Sequence, residues 1–484
     1  MSNVTISEGA FPAIIGGERI FTSQNIDVID PATGKVFATV ARCGEAEVDQ
    51  AVSAARNAFN TSWRLTTAAE RARLLSRFSE VIAAHADELA VLESRDTGKP
   101  LRQAKVDVAY SVRYFEYYSH MTEAVFGSVI PAATDRFTFT TREAYGVTGH
   151  IIPWNYPLGI ASRTLAPALA AGNCCVLKPA EQAPLSSVRI AELALEAGFP
   201  AGVLNVVPGL GAEAGAALSS HHGIDHISFT GSVPVGRKIA EAAAKNLIPA
   251  ALELGGKSPN IVLADADLDL ATPVVASAIL QNAGQTCSAG ARLLVHRDVH
   301  DDLVSRLAGI FARTTIGAGN TDPDLGPVIS ALQHQRVSEL VEIGRGEAEL
   351  IHGGRRPAGM DYEEGYFFEP TLFDNVAPGA TIAQREIFGP VLTITTFREL
   401  DEALEIANGT EYGLVAGVWT RNIGRANWLI RELDCGQVMV NTFSNGVELP
   451  FGGRKKSGYG VEKGYDALLA FTHVKGAVVV MSKD

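Results

Sequence analysis

The chain has 484 residues, enough for two or three domains. Hydrophobic residues make up 46% and charged residues 20%, the balance of a globular protein with a large core. A net charge of −13 with no basic stripe argues against nucleic acid or another polyanion as a partner.

The opening MSNVTISEGAFPAII has no basic stretch ahead of an apolar one, so no secretory leader is expected. No apolar run approaches the roughly 20 residues that span a bilayer, so no membrane segment is expected. Five cysteines without paired spacing argue against a disulfide framework and for a reducing, cytoplasmic setting.

The N-terminal third reads as strongly helical. Thr67-Ala-Ala-Glu70 has the pattern of a capping box, and LLSRFSEVIAAHADELAVL follows with helical apolar spacing. A second amphipathic helix is expected over about 101–121, its Tyr110, Tyr114, Tyr117 and Tyr118 serving as packing residues. The segment 127–146 reads as a β-hairpin around a polar turn. From 147 to 263 short apolar runs (VTGHIIP, NCCVLKP, VLNVVPG, DHISFTG, PAALELGG) alternate with helical stretches. That alternation implies parallel βαβ units and a doubly wound α/β sheet. A second α/β series is expected over about 258–450. The C-terminal AFTHVKGAVVV reads as a further strand, outside both series, and leftover strands of this kind often pair with another subunit.

Several candidate sites fall at expected strand ends. Gly209-Leu-Gly211-Ala-Glu-Ala214 matches a loose dinucleotide fingerprint but lacks the acid expected about 20 residues on. Phe229-Thr-Gly231-Ser232-Val-Pro-Val-Gly236 is a second strand-to-helix turn whose N–H groups suit a phosphate, or equally an ordinary tight connection. Lys178 and Glu181 suit a ribose diol, or equally form a solvated pair. Cys287, in QNAGQTCSAGAR, is flanked by small residues that let other atoms approach. With Asn155 of IIPWNYPLG as an oxyanion donor and Glu253 of LELGGKSPN as a base, it makes a candidate acyl-transfer set. The pair His296 and His300 straddles a strand–helix junction without the accompanying glutamate of a zinc motif, so no metal site is expected.

Taken in order, IIPWNYPLG, VLKPAEQAPLS, SFTGSVPVG, LELGGKSPNIV, NAGQTCSAGAR, REIFGPV and LPFGGRKKSGYG resemble the aldehyde dehydrogenase superfamily across nearly the whole chain. The resemblance implies an NAD-binding domain (1–126 and 147–252), a catalytic domain (253–450) and an oligomerisation element (127–146 and 467–484) of a homodimer or homotetramer. It implies Cys287 as nucleophile, Glu253 as general base and Asn155 as oxyanion donor. Trp154, Lys178, Glu181, Gly231, Ser232, Gly236, Glu386 and Phe388 would bind the cofactor, with Gly211 and Phe229 beside them. The family uses the FTGS turn rather than a Rossmann glycine loop, which makes the match at 209–214 a partial decoy. Pro234 is unusual in that turn but tolerable in a first helical turn. Glu181 would oppose the 2′-phosphate of NADP, favouring NAD. Glu253 marks the hydrolytic branch, since acyl-transferring relatives typically lack it.

Tyr156, Arg163, Phe443 and the loop 442–449 would shape the aldehyde channel. Arg163 lies two helical turns after Asn155, so both can face that channel, where an arginine could clamp a distal carboxylate or stack on a ring. A structural ion pair is the other reading of Arg163. An acidic semialdehyde or aromatic aldehyde is therefore expected, rather than betaine aldehyde. Two competing functions remain at this stage: a thiol hydrolase acting on esters, and a non-catalytic binding or structural relative.

Overall fold

The computed structural model describes residues 9–359 and 362–482. Its largest sheet has eight strands in the order Gly458–Tyr459, Ala250–Glu253, His226–Thr230, Val147–Ile151, Cys174–Lys178, Leu204–Val206, Ala13–Ile15, Glu18–Ile20. The five strands from Ala250–Glu253 to Leu204–Val206 are mutually parallel. Four of them, Val147–Ile151, Cys174–Lys178, Leu204–Val206 and His226–Thr230, are buried along their whole length, as strands covered by helices on both faces require. From Val147–Ile151 the chain adds strands first on one side, at 174–178 and 204–206, and then on the other, at 226–230 and 250–253. Such a reversal opens a crevice beyond the carboxyl ends of the strands.

A second, seven-stranded sheet runs Glu349–His352, Thr371–Asp374, Val391–Phe397, Arg292–His296, Pro259–Val262, Val415–Trp419, Gln437–Val440. All its pairings are parallel except the outermost, between Glu349–His352 and Thr371–Asp374. The expected hairpin is present as Val129–Ile130 and Arg136–Ala144. The C-terminal strand Thr472–Val480 joins it antiparallel, in register from Thr472 opposite Ala144 to Val480 opposite Arg136.

The N-terminal third is not wholly helical. Residues 10–41 form five short strands, two of which extend the large sheet. Gly16 (φ 61°) and Gly17 (φ 84°) make the two-residue turn between Ala13–Ile15 and Glu18–Ile20, a connection that requires left-handed backbone at both positions. Helices follow as expected. Thr67 caps Ala68–Ala84, its Oγ1 accepting from Glu70 N at 3.2 Å while the Glu70 carboxylate accepts from Thr67 N at 2.7 Å. Around it, Trp63, Phe78, Phe115 and Phe199 form an aromatic cluster with ring centres 4.4–5.6 Å apart. The four cysteines read as core, Cys43, Cys174, Cys175 and Cys435, are all buried.

One polar cluster lies in this helical layer. Lys99, only 1% exposed, donates from Nζ to Asp107 Oδ2 (2.5 Å), Glu93 Oε1 (3.4 Å) and the Asn155 carbonyl (3.0 Å), and sits 4.3 Å from the centre of the Tyr156 ring. A fully buried ammonium is tolerated only with such partners. Replacing Lys99 with Met strands two buried carboxylates and should destabilise the fold by about 3–5 kcal/mol. A urea melting midpoint equal to that of the parent would contradict this.

Candidate active site

The loop that carries Cys287 begins where helix Leu268–Leu280 ends. Asn282 (φ 50°), Ala283 (φ 53°) and Gly284 (φ 71°) are left-handed in succession, and each non-glycine residue there costs roughly 1–2 kcal/mol. Buried hydrogen bonds hold the loop. Asn282 Nδ2 donates to the Asn155 carbonyl (2.9 Å), Gln285 Nε2 to the Asn282 carbonyl (3.0 Å), and Ile329 N to Gln285 Oε1 (2.8 Å). The small residues around the cysteine are packing requirements. A Cβ on Gly284 would lie 2.0 Å from the Gly389 carbonyl, and one on Gly256 would lie 2.4 Å from the Cys287 carbonyl. Glycine at 256 thus lets the chain after Glu253 close onto the cysteine loop.

Two clefts meet at this loop. One, of about 1170 Å³, lies over the carboxyl ends of the large sheet's strands, and the other, of about 860 Å³, opens on the opposite side. Asn155 and Cys287 line both. Trp154, Lys178, Glu181, Gly211, Phe229, Gly231, Ser232, Glu253, Glu386 and Phe388 line the larger one. Gly236 does not. It is buried in the first turn of helix Val233–Asn246, where a Cβ would press Leu254 at 2.6 Å, so its job is helix-to-strand packing. Pro234 sits in that first turn, as the sequence allows. Tyr156, Arg163 and Phe443 line the smaller cleft, as do Tyr110 and Tyr114. Those two tyrosines were expected only to pack, and helical spacing alone does not tell a cleft wall from a core face. Among the described residues no group of His, Cys, Asp or Glu is arranged to hold a metal; His300 is engaged by Asp301 (2.7 Å) and Asp374 (3.0 Å).

Glu253 is 2% exposed, and neither of its carboxylate oxygens has a protein hydrogen-bond partner. Burial, reinforced by the nearby Glu462 and opposed by Arg163, holds its pKa well above the usual carboxylate range. Burial likewise pushes the Cys287 thiol up to about 12, with Arg163 the largest opposing influence. Asn155 Nδ2 donates one hydrogen to the Gln285 carbonyl at 2.9 Å. An amide carries two, so one remains.

In the larger cleft, Lys178 Nζ donates to Glu181 Oε2 at 3.1 Å. The Glu386 carboxylate accepts from Gly256 N at 2.9 Å, and burial brings its pKa up to about 7 against that bond and Lys257. Phe388 is left-handed (φ 56°), its carbonyl accepting from Gln333 Nε2 (2.9 Å), and its ring stands edge-on to Trp154 at 5.3 Å.

Arg163 takes the second of its two expected readings. Helix Pro157–Ala171 is buried almost throughout, so the guanidinium needs an internal partner. It forms an ion pair with Glu462, 3% exposed, and its Cζ lies 5.1 Å from the Phe451 ring centre. Glu462, Lys463, Phe451 and Lys99 are site residues that sequence reasoning missed. Phe451 lay within a motif already noted, whereas the other three carried no local signal.

The sequence profile described as the aldehyde dehydrogenase family matches residues 20–477. The chain belongs to the aldehyde dehydrogenase family. It is similar to an aldehyde dehydrogenase of Enchytraeus buchholzi (44% identical, covering 95% of this chain and 93% of that one) and to human retinal dehydrogenase 2 (42%, covering 93% and 88%). Among solved structures it resembles the NAD+ complex of the Bacillus cereus aldehyde dehydrogenase, with a TM-score of 0.96 at 42% identity, covering 98% of this chain and 97% of that one. The protein is therefore an oxidoreductase acting on the aldehyde group.

Gly284→Ala combines a left-handed backbone with a Cβ clash against a carbonyl, so it should displace the cysteine loop of this dehydrogenase. A shift of about 1 Å at a nucleophile costs roughly 100-fold in rate. The expected outcome is that loss in kcat with a cooperative thermal melt retained; an unchanged kcat would show that the loop tolerates the methyl group.

Proposed function

We propose that this enzyme oxidises its aldehyde to the carboxylic acid with NAD, through a covalent intermediate on Cys287. The observation that carries the reading is that Asn155 and Cys287 form the shared floor of two clefts, one suited to a dinucleotide and one to an aldehyde. The larger cleft fits a dinucleotide on four counts. It overlies parallel strand ends at the topological switch. Lys178 and Glu181 can hold a ribose diol. Ser232 makes no side-chain cap to its own helix, leaving first-turn N–H groups for a pyrophosphate. Nothing lies within 4 Å of where a Gly211 Cβ would stand, so the cleft wall is open there. Glu386, Phe388 and Trp154 would hold the nicotinamide end. NAD bound there supplies the acceptor for the hydride that leaves the substrate carbon.

In the aldehyde cleft, the Cys287 thiolate forms a bond to the aldehyde carbon, and the carbonyl electrons move to oxygen. The spare Asn155 amide hydrogen and the Cys287 N–H stabilise that oxyanion, each such donor typically contributing about 3–4 kcal/mol. After oxidation the acyl group is held as a thioester on Sγ. Glu253 takes a proton from water, the water oxygen bonds to the acyl carbon, and the C–S bond breaks to release the acid and restore the thiolate. The Glu181 carboxylate favours the free 2′-hydroxyl of NAD over the 2′-phosphate of NADP.

The same reading divides the chain into a cofactor part (1–126 and 147–252), a catalytic part (253–450) and an assembly part (127–146 and 467–484), of which residues 1–8, 360–361 and 483–484 lie outside the described residues. The assembly part supports a homodimer or homotetramer. Its three-stranded sheet exposes apolar residues on both faces, Ile130, Val478 and Val480 on one and Phe137 and Val479 on the other, of the kind that pair with another copy. Five free cysteines support a cytoplasmic setting, and no helix among the described residues is long and apolar enough to cross a membrane.

An aldehyde panel with NAD+, followed by NADH absorbance, tests the activity directly. Turnover should occur, fall to background in Cys287→Ala, and favour NAD+ over NADP+, with Glu181→Gln narrowing that preference about tenfold. Ester hydrolysis without any NADH would establish the thiol hydrolase instead. Absence of both reactions would favour a binding protein. The rate should also climb from about pH 6 to about pH 9. The Cys287 and Glu253 pKa values are both raised, and in both cases the deprotonated form is the reactive one, so each gains as pH rises. A rate that is flat over that range would mean that both groups are already ionised.

A further inference from the structure

The aldehyde cleft contains a second buried cation. Lys463 is 5% exposed and lines the cleft with Cys287 and Phe451, its Nζ 5.7 Å from the Phe451 ring centre. Its backbone is held at φ 63° and ψ 169°, a region that belongs almost wholly to glycine. A lysine here is therefore maintained against the local backbone preference.

Charge accounting shows what this ammonium lacks. The two carboxylates with the strongest influence on it are Glu448 and Glu462. Each is already paired, Glu448 with Arg113 and Glu462 with Arg163. Among the described residues no carboxylate comes within the 4.0 Å of an ion pair with Lys463. Its hydrogen-bond partner is neutral: Nζ donates to Asn445 Oδ1 at 2.6 Å. Asn445 Nδ2 in turn donates to Gln437 Oε1 at 2.6 Å, and Gln437 Nε2 to the Pro450 carbonyl at 2.5 Å. This relay orients the ammonium without neutralising it. An ammonium has three hydrogens, so donors remain. Burial, with Arg163 nearby, brings its pKa down to about 8, against the pull of Glu448 and Glu462, which leaves it a cation at neutral pH.

The other cations of the cleft are less suited to a ligand. Arg163 is committed to Glu462. Arg102 lies exposed at the mouth and is occupied by Asp322 and Asp324. Arg313, also at the mouth, is exposed to water, which screens its charge. We propose that Lys463 is the specificity-determining residue of the aldehyde cleft, recognising an anionic group, a carboxylate, at the end of the substrate remote from the aldehyde. Arg163, which the sequence pointed to for this task, instead positions Glu462 beside Glu253. The inference rests on the dehydrogenase reading above and narrows its substrate to acid-bearing aldehydes.

Matched aldehyde pairs test it: 4-formylbenzoate against benzaldehyde, and 4-oxobutanoate against butanal, each with NAD+ and the full-length enzyme. A charge-assisted hydrogen bond in a desolvated site should favour the acid of at least one pair by about tenfold to a hundredfold in kcat/KM. Lys463→Met should abolish that preference by raising KM for the acid far more than for the neutral partner, and Lys463→Arg should restore part of it. Arg163→Met should lower kcat for both members of a pair and keep the preference. Thermal melts of the three variants verify that they fold, and Lys463→Gly, the residue that this backbone conformation suits, serves if Lys463→Met does not. The inference is overturned if the parent turns over neutral aldehydes but never prefers their acids. It is also overturned if the Lys463 variants affect both members equally, or if Arg163→Met is the change that removes the preference. If no aldehyde of either kind yields NADH, the failure lies with the dehydrogenase reading itself.

Discussion

The main-chain carbonyl of Asn155 accepts hydrogen bonds from Lys99 Nζ and Asn282 Nδ2, while its side-chain amide donates to the Gln285 carbonyl. Through these three contacts one residue joins the helical layer, the end of the strand Val147–Ile151 and the loop that presents Cys287. The arrangement reconciles two conformations that are costly in isolation, a fully buried ammonium and a run of left-handed residues. Each is the other's support. The Asn155 carbonyl completes the three oxygens around the lysine and is one of several buried anchors of the loop. Both clefts inherit their common floor from this joint, so the two cavities open onto the same sulfur.

Much of the candidate site was legible because it is written locally. Cys287, Glu253 and Asn155 each stand beside glycine or proline at an element end, and the ordered motifs around them span most of the chain. Sheet class was legible for a similar reason, since uniformly apolar strands alternating with amphipathic helices leave few other solutions. What escaped depended on partners distant in sequence. The spacing from Asn155 to Arg163 correctly placed the arginine on the cleft side of its helix, but nothing nearby announced Glu462. Lys99 carried no local signal, because the three oxygens that converge on it come from separate segments. The strands of residues 10–41 are two to seven residues long, too short for a period to emerge, and their pairing is imposed by the sheet they join. Gly236 was read as a phosphate-side glycine when its missing Cβ serves Leu254.

The site also concentrates acidity that it keeps silent. Glu253 and Glu386 act on the cysteine and Glu462 acts on Glu253, with Arg163 and Lys257 as the principal counter-charges. Burial raises the pKa of both Glu253 and Glu386, so each resists ionising beside the other charges of the site. Lys257, brought down to about 7 by burial and by Arg292, against the pull of Glu386, is poised in the same range.

The elevated thiol has a consequence for the enzyme's durability. Peroxides and disulfides attack the thiolate, and susceptibility follows thiolate character and exposure. Burial raises the pKa of Cys287, and Cys43, Cys174, Cys175 and Cys435 are buried with their pKa values raised as well. Burial thus disfavours the thiolate at all five sulfurs, which slows their reaction with oxidants.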